Sequence, residues 1–307
     1  MSERMADDVR ETPEALRSVL EADLSGLPDL RERNFVITTG SGSSYHVAYY
    51  ASMLLTRETD VAASHYPGKL APWVDGADTV IIFSISGGKD SHRIAREFDG
   101  TDIMAVTCEK DSPLAREADS VLLIPVERES GFLNTKTIVA AMYVFCAYVS
   151  EITGLDVLDT RAPKEVEKSI EAGPRDDLVE AMRECEKVFF VGDGYLHVAA
   201  EQAALKAVEV GDANALATTT DELFHGRFFG DHSRRLYICL NEGSADLIEE
   251  RSSGEANVFR PNEVVKVKAE PDDPNAPVVV LPALYLAIDA AYGPVNTSQA
   301  RDWWDHL

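Results

Sequence analysis

The chain has 307 residues, about two domains' length, with 29 Lys+Arg against 53 Asp+Glu and a formal net charge of -24. A hydrophobic share of 45% supplies packed cores and excludes a disordered acidic chain. So negative a surface argues against nucleic acid and anionic membrane as partners.

Residues 1–30 read as an N-terminal helical segment, with Thr12 as cap, Pro13 at the first helical position and Glu14 in the first turn. The N-terminus, MSERMADDVRE, lacks the apolar stretch of a signal peptide. Gly and Pro punctuate Ser25 to Pro28, and Phe35–Thr39 is then a short β-rich run leading into Gly40-Ser41-Gly42-Ser43-Ser44. A helix is predicted over Tyr45–Leu55. The order recurs with Thr79–Phe83, the turn Ser84-Ile85-Ser86-Gly87-Gly88 and a helix from about Asp90. A third copy runs from Ile103 through Val106 to a helical stretch at Ser112–Ala118, and Val121–Ile124 reads as a fourth strand. Strands alternating with helices predict a parallel sheet covered on both faces. The apolar run Ile138–Val149 is too short to span a bilayer and suits a buried helix. Asp156–Pro174 is polar and carries a helix at Ala162–Ala172. Lys187–Ala199 then echoes Asn34–Ala48: strand, Gly-x-Gly, and a helix containing His-Val-Ala. A repeat of about 150 residues fits two copies of one α/β domain.

A strand, a Gly/Ser turn and a helix start form an anion site in physical terms, because backbone N–H groups, the helix dipole and hydroxyls point the same way. One turn carries Ser41, Ser43 and Ser44, the other Ser84, Ser86 and Ser91; on adjacent parallel strands they converge at the sheet's carboxyl edge. Serines in such turns also serve as plain helix caps. Neither turn has Walker spacing, and Gly40-x-Gly42 lacks a third glycine, which disfavours nucleotide. In the second half Lys206 and Glu209 share a helix face, and His225 follows in Asp221-Glu222-Leu223-Phe224-His225-Gly226-Arg227. By spacing alone these are either catalytic groups or a solvated ion pair and a structural histidine. Cys108, Cys146, Cys185 and Cys239 stand singly, without metal-like spacing, and read as reduced thiols of a cytosolic protein. The acidic, Lys-poor surface, with ten Lys, is what a salt-rich cytoplasm favours.

These segments resemble the sugar isomerase (SIS) domain, and their layout resembles the double-SIS isomerase part of glucosamine-6-phosphate synthase and related deaminases and isomerases. The family's GTSYH loop appears as Gly42-Ser43-Ser44-Tyr45-His46, and its SQSGET loop as Ser84-Ile85-Ser86-Gly87-Gly88-Lys89. The E-x-x-V-A-S-T-K segment appears as Glu129-Ser130-Gly131-Phe132-Leu133-Asn134-Thr135-Lys136. L-K-x-x-E appears as Leu205–Glu209, and ExxHG as Glu222–Gly226. The resemblance implies an α/β fold of two tandem SIS domains, each a flavodoxin-like three-layer sandwich. Their predicted bounds are 31–155 and 186–293, joined by a helical linker over 156–185 and followed by a tail over 294–307.

It further implies that Ser44, Ser84 and Ser86 bind a sugar phosphate, with Ser41, Ser43, Lys89, Ser91 and Asn134 in the same substrate-binding set. Glu209 is then the base moving a proton between C1 and C2, with Lys206 beside it. His225 assists ring opening, and in the family this residue can come from the neighbouring subunit, which implies a homodimer with its site near the subunit interface. No metal and no cofactor are expected. Two departures bear on the substrate. No glutaminase segment or catalytic cysteine precedes the pair, which argues against glutamine-dependent synthesis. The tail, with Arg301 and His306, has no lysine, so it either closes over the sugar without Schiff-base chemistry or docks through Trp303 and Trp304. The reading is a cytoplasmic isomerase or deaminase acting on a hexose or amino-hexose 6-phosphate. The alternatives are a fructosamine-phosphate deglycase and a non-catalytic sugar-phosphate sensor.

Overall fold

The computed structural model describes residues 5–98, 100–129, 133–211, 213–227, 234–252 and 263–293. The chain divides into two compact units. Glu11–Glu129 with Asn134–Lys164 make one, and α1 (Met5–Arg10) belongs with the chain from Glu165 onward in the other.

The first unit is built on five parallel strands in the order β2-β1-β3-β4-β5: β1 Phe35–Gly40, β2 Ala62–Pro67, β3 Thr79–Phe83, β4 Asp102–Thr107 and β5 Ser120–Leu123. Its helices are α2 Thr12–Leu20, α3 Ser43–Glu58, α4 Lys89–Ala95, α5 Pro113–Glu117 and α6 Lys136–Thr153. Strand alternation sorts the sheet into two faces. Ile37, Val80, Ile82, Ile103 and Ala105 pack with Ile94 of α4 and Leu114 of α5. On the other face Phe83 meets Phe145 of α6 edge-on at 5.6 Å, and the buried Thr38 hydroxyl donates to the Ala48 carbonyl of α3 at 2.7 Å. Side chains buried to this degree each contribute about 1.5–3 kcal/mol of apolar burial. α6, apolar on nearly all sides, is the core helix foreseen at Ile138–Val149; it ends at Gly154, whose φ of 67° supplies the left-handed cap.

Two expectations change here. Thr12 does not cap: it is the first helical residue and is buried, while Glu11 stands before it with helical backbone angles and no side-chain cap bond. The helical path therefore begins ahead of Thr12 and leaves its hydroxyl no free N–H to serve. Pro13 does sit in the first turn, as read. The strand β2, Ala-Ser-His-Tyr-Pro in its last five residues, was not foreseen. It is an edge strand, exposed to half-buried throughout, so it lacks the apolar alternation that announces a strand.

α7 (Ala162–Ala172) occupies the span predicted for the connecting helix. The second unit has four parallel strands in the order β7-β6-β8-β9: β6 Lys187–Val191, β7 Ala215–Thr218, β8 Arg235–Cys239 and β9 Glu263–Lys266. α8 is Asp176–Glu184, α9 Leu196–Gly211, α10 Thr220–Glu222, α11 Glu242–Ser252 and α12 Ala276–Tyr292, with a π turn at Leu223–Arg227 after α10. Phe189, Val191, Tyr237 and Cys239 pack with Ala245 and Ile248 of α11 on one face, while α9 and α12 pack together and α9 covers β6 and β7.

The strand order of the second unit is that of the first without its last strand. Their first turns are also built alike. A methyl group at Gly40 would lie 2.6 Å from the Ser44 carbonyl oxygen, and one at Gly192 2.5 Å from that of Leu196. Two positions on, Gly42 has φ 56° and Gly194 φ 53°. Both positions of each Gly-x-Gly are thus closed to side chains, the first by close approach and the second by backbone angle.

Candidate functional site

In the first unit β1 and β3 are hydrogen-bonded neighbours, so the two serine turns lie side by side at the carboxyl edge of the sheet. Ser43 and Ser44 form the first turn of α3 and are buried, while Ser41 is exposed. A 16-residue helix with no acidic residue in its first turn places a positive dipole end there, with Ser44 N–H bonded to the Ser41 carbonyl and Tyr45 N–H to that of Gly42. In the second turn Ser84 is half-buried and Ser86 exposed, and the buried Ile85 anchors the loop. The Ile85 carbonyl accepts from Cys108 N–H at 3.1 Å and from the Thr107 hydroxyl at 3.1 Å; the Gly87 carbonyl accepts from Leu114 N–H at 3.1 Å. Gly87, at φ 55°, faces Ser112, which itself caps α5 through Ala115 N–H. The loop is thus tied to β4 and α5 and holds Ser86 outward.

Lys89 is exposed at the start of α4, and Ser91 is buried with its hydroxyl donating to the Gly88 carbonyl at 2.9 Å. Ser91 therefore braces the loop as it stands. Asn134 is half-buried at the entry to α6. Beside it are two groups of the same motif segment to which the sequence reading gave no role. The Glu129 carboxylate accepts from Thr135 N–H (2.6 Å), Thr137 N–H (2.9 Å) and the Thr137 hydroxyl (2.9 and 2.8 Å), closing the N-terminus of α6. Thr135 is fully buried and its hydroxyl has no hydrogen-bond partner. The readable signal for Glu129 was an acid placed six to eight residues before two threonines opening an apolar helix. Cys108 is half-buried next to the second turn; burial, with Glu129 and Glu109 adding to it, pushes its thiol up to about 12. At neutral pH it is a thiol with no nucleophilic character.

In the second unit α9 carries Lys206 and Glu209 one turn apart. The Lys206 ammonium is 1% exposed and donates to Glu209 at 2.6 Å, while the Glu209 side chain is 31% exposed. A buried cation needs its anion, and this one holds a partly open carboxylate in a fixed rotamer. His225 lies in the π turn after α10, 72% exposed, with Nδ1 2.9 Å from the Asp221 carbonyl oxygen. It is anchored locally by Leu223, fully buried in the sheet core. Thus the structure brings Lys206 and Glu209 into contact and sets His225 on a separate turn. Among the described residues no group of three or more His, Cys, Asp or Glu side chains is gathered to hold a metal. Arg301, Trp303, Trp304 and His306 of the tail lie outside the described residues.

Residues 29–150 match the SIS domain family. Across 94% of its length the chain is 23% identical to the isomerizing glutamine–fructose-6-phosphate aminotransferase of Sulfurisphaera tokodaii, of which it spans 54%. The chain therefore covers about half the length of this relative. Among solved structures, the C-terminal domain of glucosamine-fructose-6-phosphate aminotransferase from Francisella tularensis superposes with a TM-score of 0.74, at 20% identity over 94% of each chain. Glucosamine-6-phosphate deaminase from Thermotoga maritima superposes at 0.69, with 19% identity over 94% of this chain and 93% of its own. These likenesses show an α/β fold with a parallel sheet flanked by helices.

Proposed function

With the match of residues 29–150 to the SIS domain family as the premise, we propose that the chain is a phosphosugar isomerase-type enzyme that moves a proton between C1 and C2 of a hexose or amino-hexose 6-phosphate. The observation that carries the reading is the Lys206–Glu209 pair: a carboxylate fixed by a buried ammonium yet open to solvent on its other side. Such a carboxylate removes the proton from the carbon next to the carbonyl. The electron pair flows to oxygen to give an enediol, and the same carboxylate returns the proton to the adjacent carbon. Positioned general acid–base catalysis of this kind contributes about 10²–10⁴-fold. If C2 bears nitrogen, the same transfer gives a ketimine, and water then releases ammonia and leaves fructose 6-phosphate.

In this reading Ser44, Ser84 and Ser86 bind the phosphate, together with backbone N–H groups of the second turn. Ser41, Ser43, Lys89, Ser91 and Asn134 complete the substrate contacts. The outward Ser86, on a loop tied down at Ile85 and Gly87, supports this assignment. His225 opens the sugar ring; its 72% exposure on its own turn suits a group delivered to a second copy of the chain in a homodimer. The shared strand order and paired glycines support reading the second unit as a second SIS domain, with 31–155 and 186–293 as the bounds.

Glu209→Gln tests the mechanism. Turnover should fall by about 10²-fold or more while sugar-phosphate binding persists; full activity in that variant overturns the reading. Ser86→Ala should raise KM several-fold with kcat nearly kept, and an unchanged KM removes it from the phosphate site.

A further inference from the structure

The turn Gly192-Asp193-Gly194 carries a carboxylate where the matching turn of the first unit carries Ser41. Ser41 is exposed, whereas Asp193 is half-buried and bound to its own unit. Its Oδ1 accepts from Thr220 N–H at 2.9 Å, and its Oδ2 accepts from the Thr220 hydroxyl at 2.6 Å and the Ser244 hydroxyl at 3.0 Å. The Ser244 oxygen is 2.6 Å from that of Thr220 and 2.7 Å from Asn241 Oδ1. One side chain thereby joins the loops after β6, β7 and β8.

Thr220 gives both its hydrogens to this carboxylate, and it is the first residue of α10. From there the path to His225 is short and rigid. The Thr219 hydroxyl accepts from Glu222 N–H, the Thr219 carbonyl from Leu223 N–H, and Leu223 is buried. The ring of His225 then rests on the Asp221 carbonyl. Leu223 fixes how deep this segment sits, and the Asp193–Thr220 contact fixes where it starts. Charge-assisted bonds to both oxygens of one carboxylate are the strong, directional kind that sets an angle.

We propose that Asp193 is a positioning residue for His225: it acts through Thr220 to hold the turn that presents the imidazole. The consequence for turnover rests on the ring-opening role of His225 argued above, while the positioning itself does not. Asp193→Asn keeps an oxygen for Thr220 N–H and puts a donor where two hydroxyls now donate, so it should release one end of the turn.

The test uses the full chain with ring-labelled histidine, the His225 resonance being assigned by its loss in His225→Gln. In Asp193→Asn the His225 ring signal should shift or broaden. With glucose 6-phosphate or glucosamine 6-phosphate as substrate, kcat should fall about 10- to 100-fold with KM within about twofold. An unmoved His225 signal overturns the proposal whatever the rate does. A wild-type chain without turnover faults the functional reading instead, and the resonance still decides the positioning. If Asp193→Asn fails to fold, Thr220→Val, which keeps the backbone bond and removes only the hydroxyl, is read by the same signal and the same criterion.

Discussion

Lys206 and Glu209 divide two tasks that a single residue does badly. The ammonium, 1% exposed, is stable in its place only as long as a partner answers its charge. The carboxylate answers it with Oε2 and remains 31% exposed, a fixed geometry with an open side. This predicts a split between variants that a solvated surface pair would not show. Glu209→Ala removes the carboxylate to which the buried ammonium donates and should cost about 1–3 kcal/mol in a denaturation experiment. Glu209→Gln, which still offers an oxygen, should cost less than about 1 kcal/mol. Equal stability of the two variants would show that the pair is only a surface contact. The sequence made this pair legible through its three-residue spacing on a helix. It did not show that the lysine is the buried member, because burial depends on what α12 lays over α9. Asp193 was hidden for a related reason. Its partners Thr220 and Ser244 lie 27 and 51 residues away, and only the fold brings them to it.

At the level of elements, the strand-turn-helix units were readable because their central strands are apolar-rich runs, with β1 and β3 leading into glycine- and serine-rich turns. β1, β3, β4 and β5 fall within a residue or two of the predicted runs, and α7 lies where expected. The misses have physical reasons. β2 is an edge strand with no apolar face to betray it, and helical backbone at Glu11 took the capping role from Thr12. The turns depend on glycine at positions where the backbone itself blocks a side chain. Gly40→Ala would place a methyl 2.6 Å from the Ser44 carbonyl oxygen. Relieving that overlap should cost about 1–3 kcal/mol and shift the start of α3. It should therefore lower the melting temperature and raise KM together. Retention of both would mean that the turn yields freely and is no rigid anion cradle.

For the whole molecule the governing facts are two parallel sheets, one in each unit, and a large negative charge. Both units use a parallel sheet with the same order over four strands, yet the turns at their carboxyl edges differ in chemistry: hydroxyls in the first, the Asp193 carboxylate in the second. A formal charge of -24 opposes compaction by self-repulsion, which counterions relieve. Thermal stability should therefore rise with potassium chloride from low to molar concentration, and a flat response would show that the charges are locally balanced. The most direct measurement of the central claim is NMR of the full chain with glucose 6-phosphate, fructose 6-phosphate, glucosamine 6-phosphate and a fructosamine phosphate in D₂O at high salt, with ammonia assayed in parallel. Proton transfer through Glu209 predicts deuterium at C1 or C2 of at least one substrate, abolished in Glu209→Gln, with ammonia marking a deaminase. Binding of one of these sugars with no exchange on any of them would contradict the account and leave a sugar-phosphate sensor.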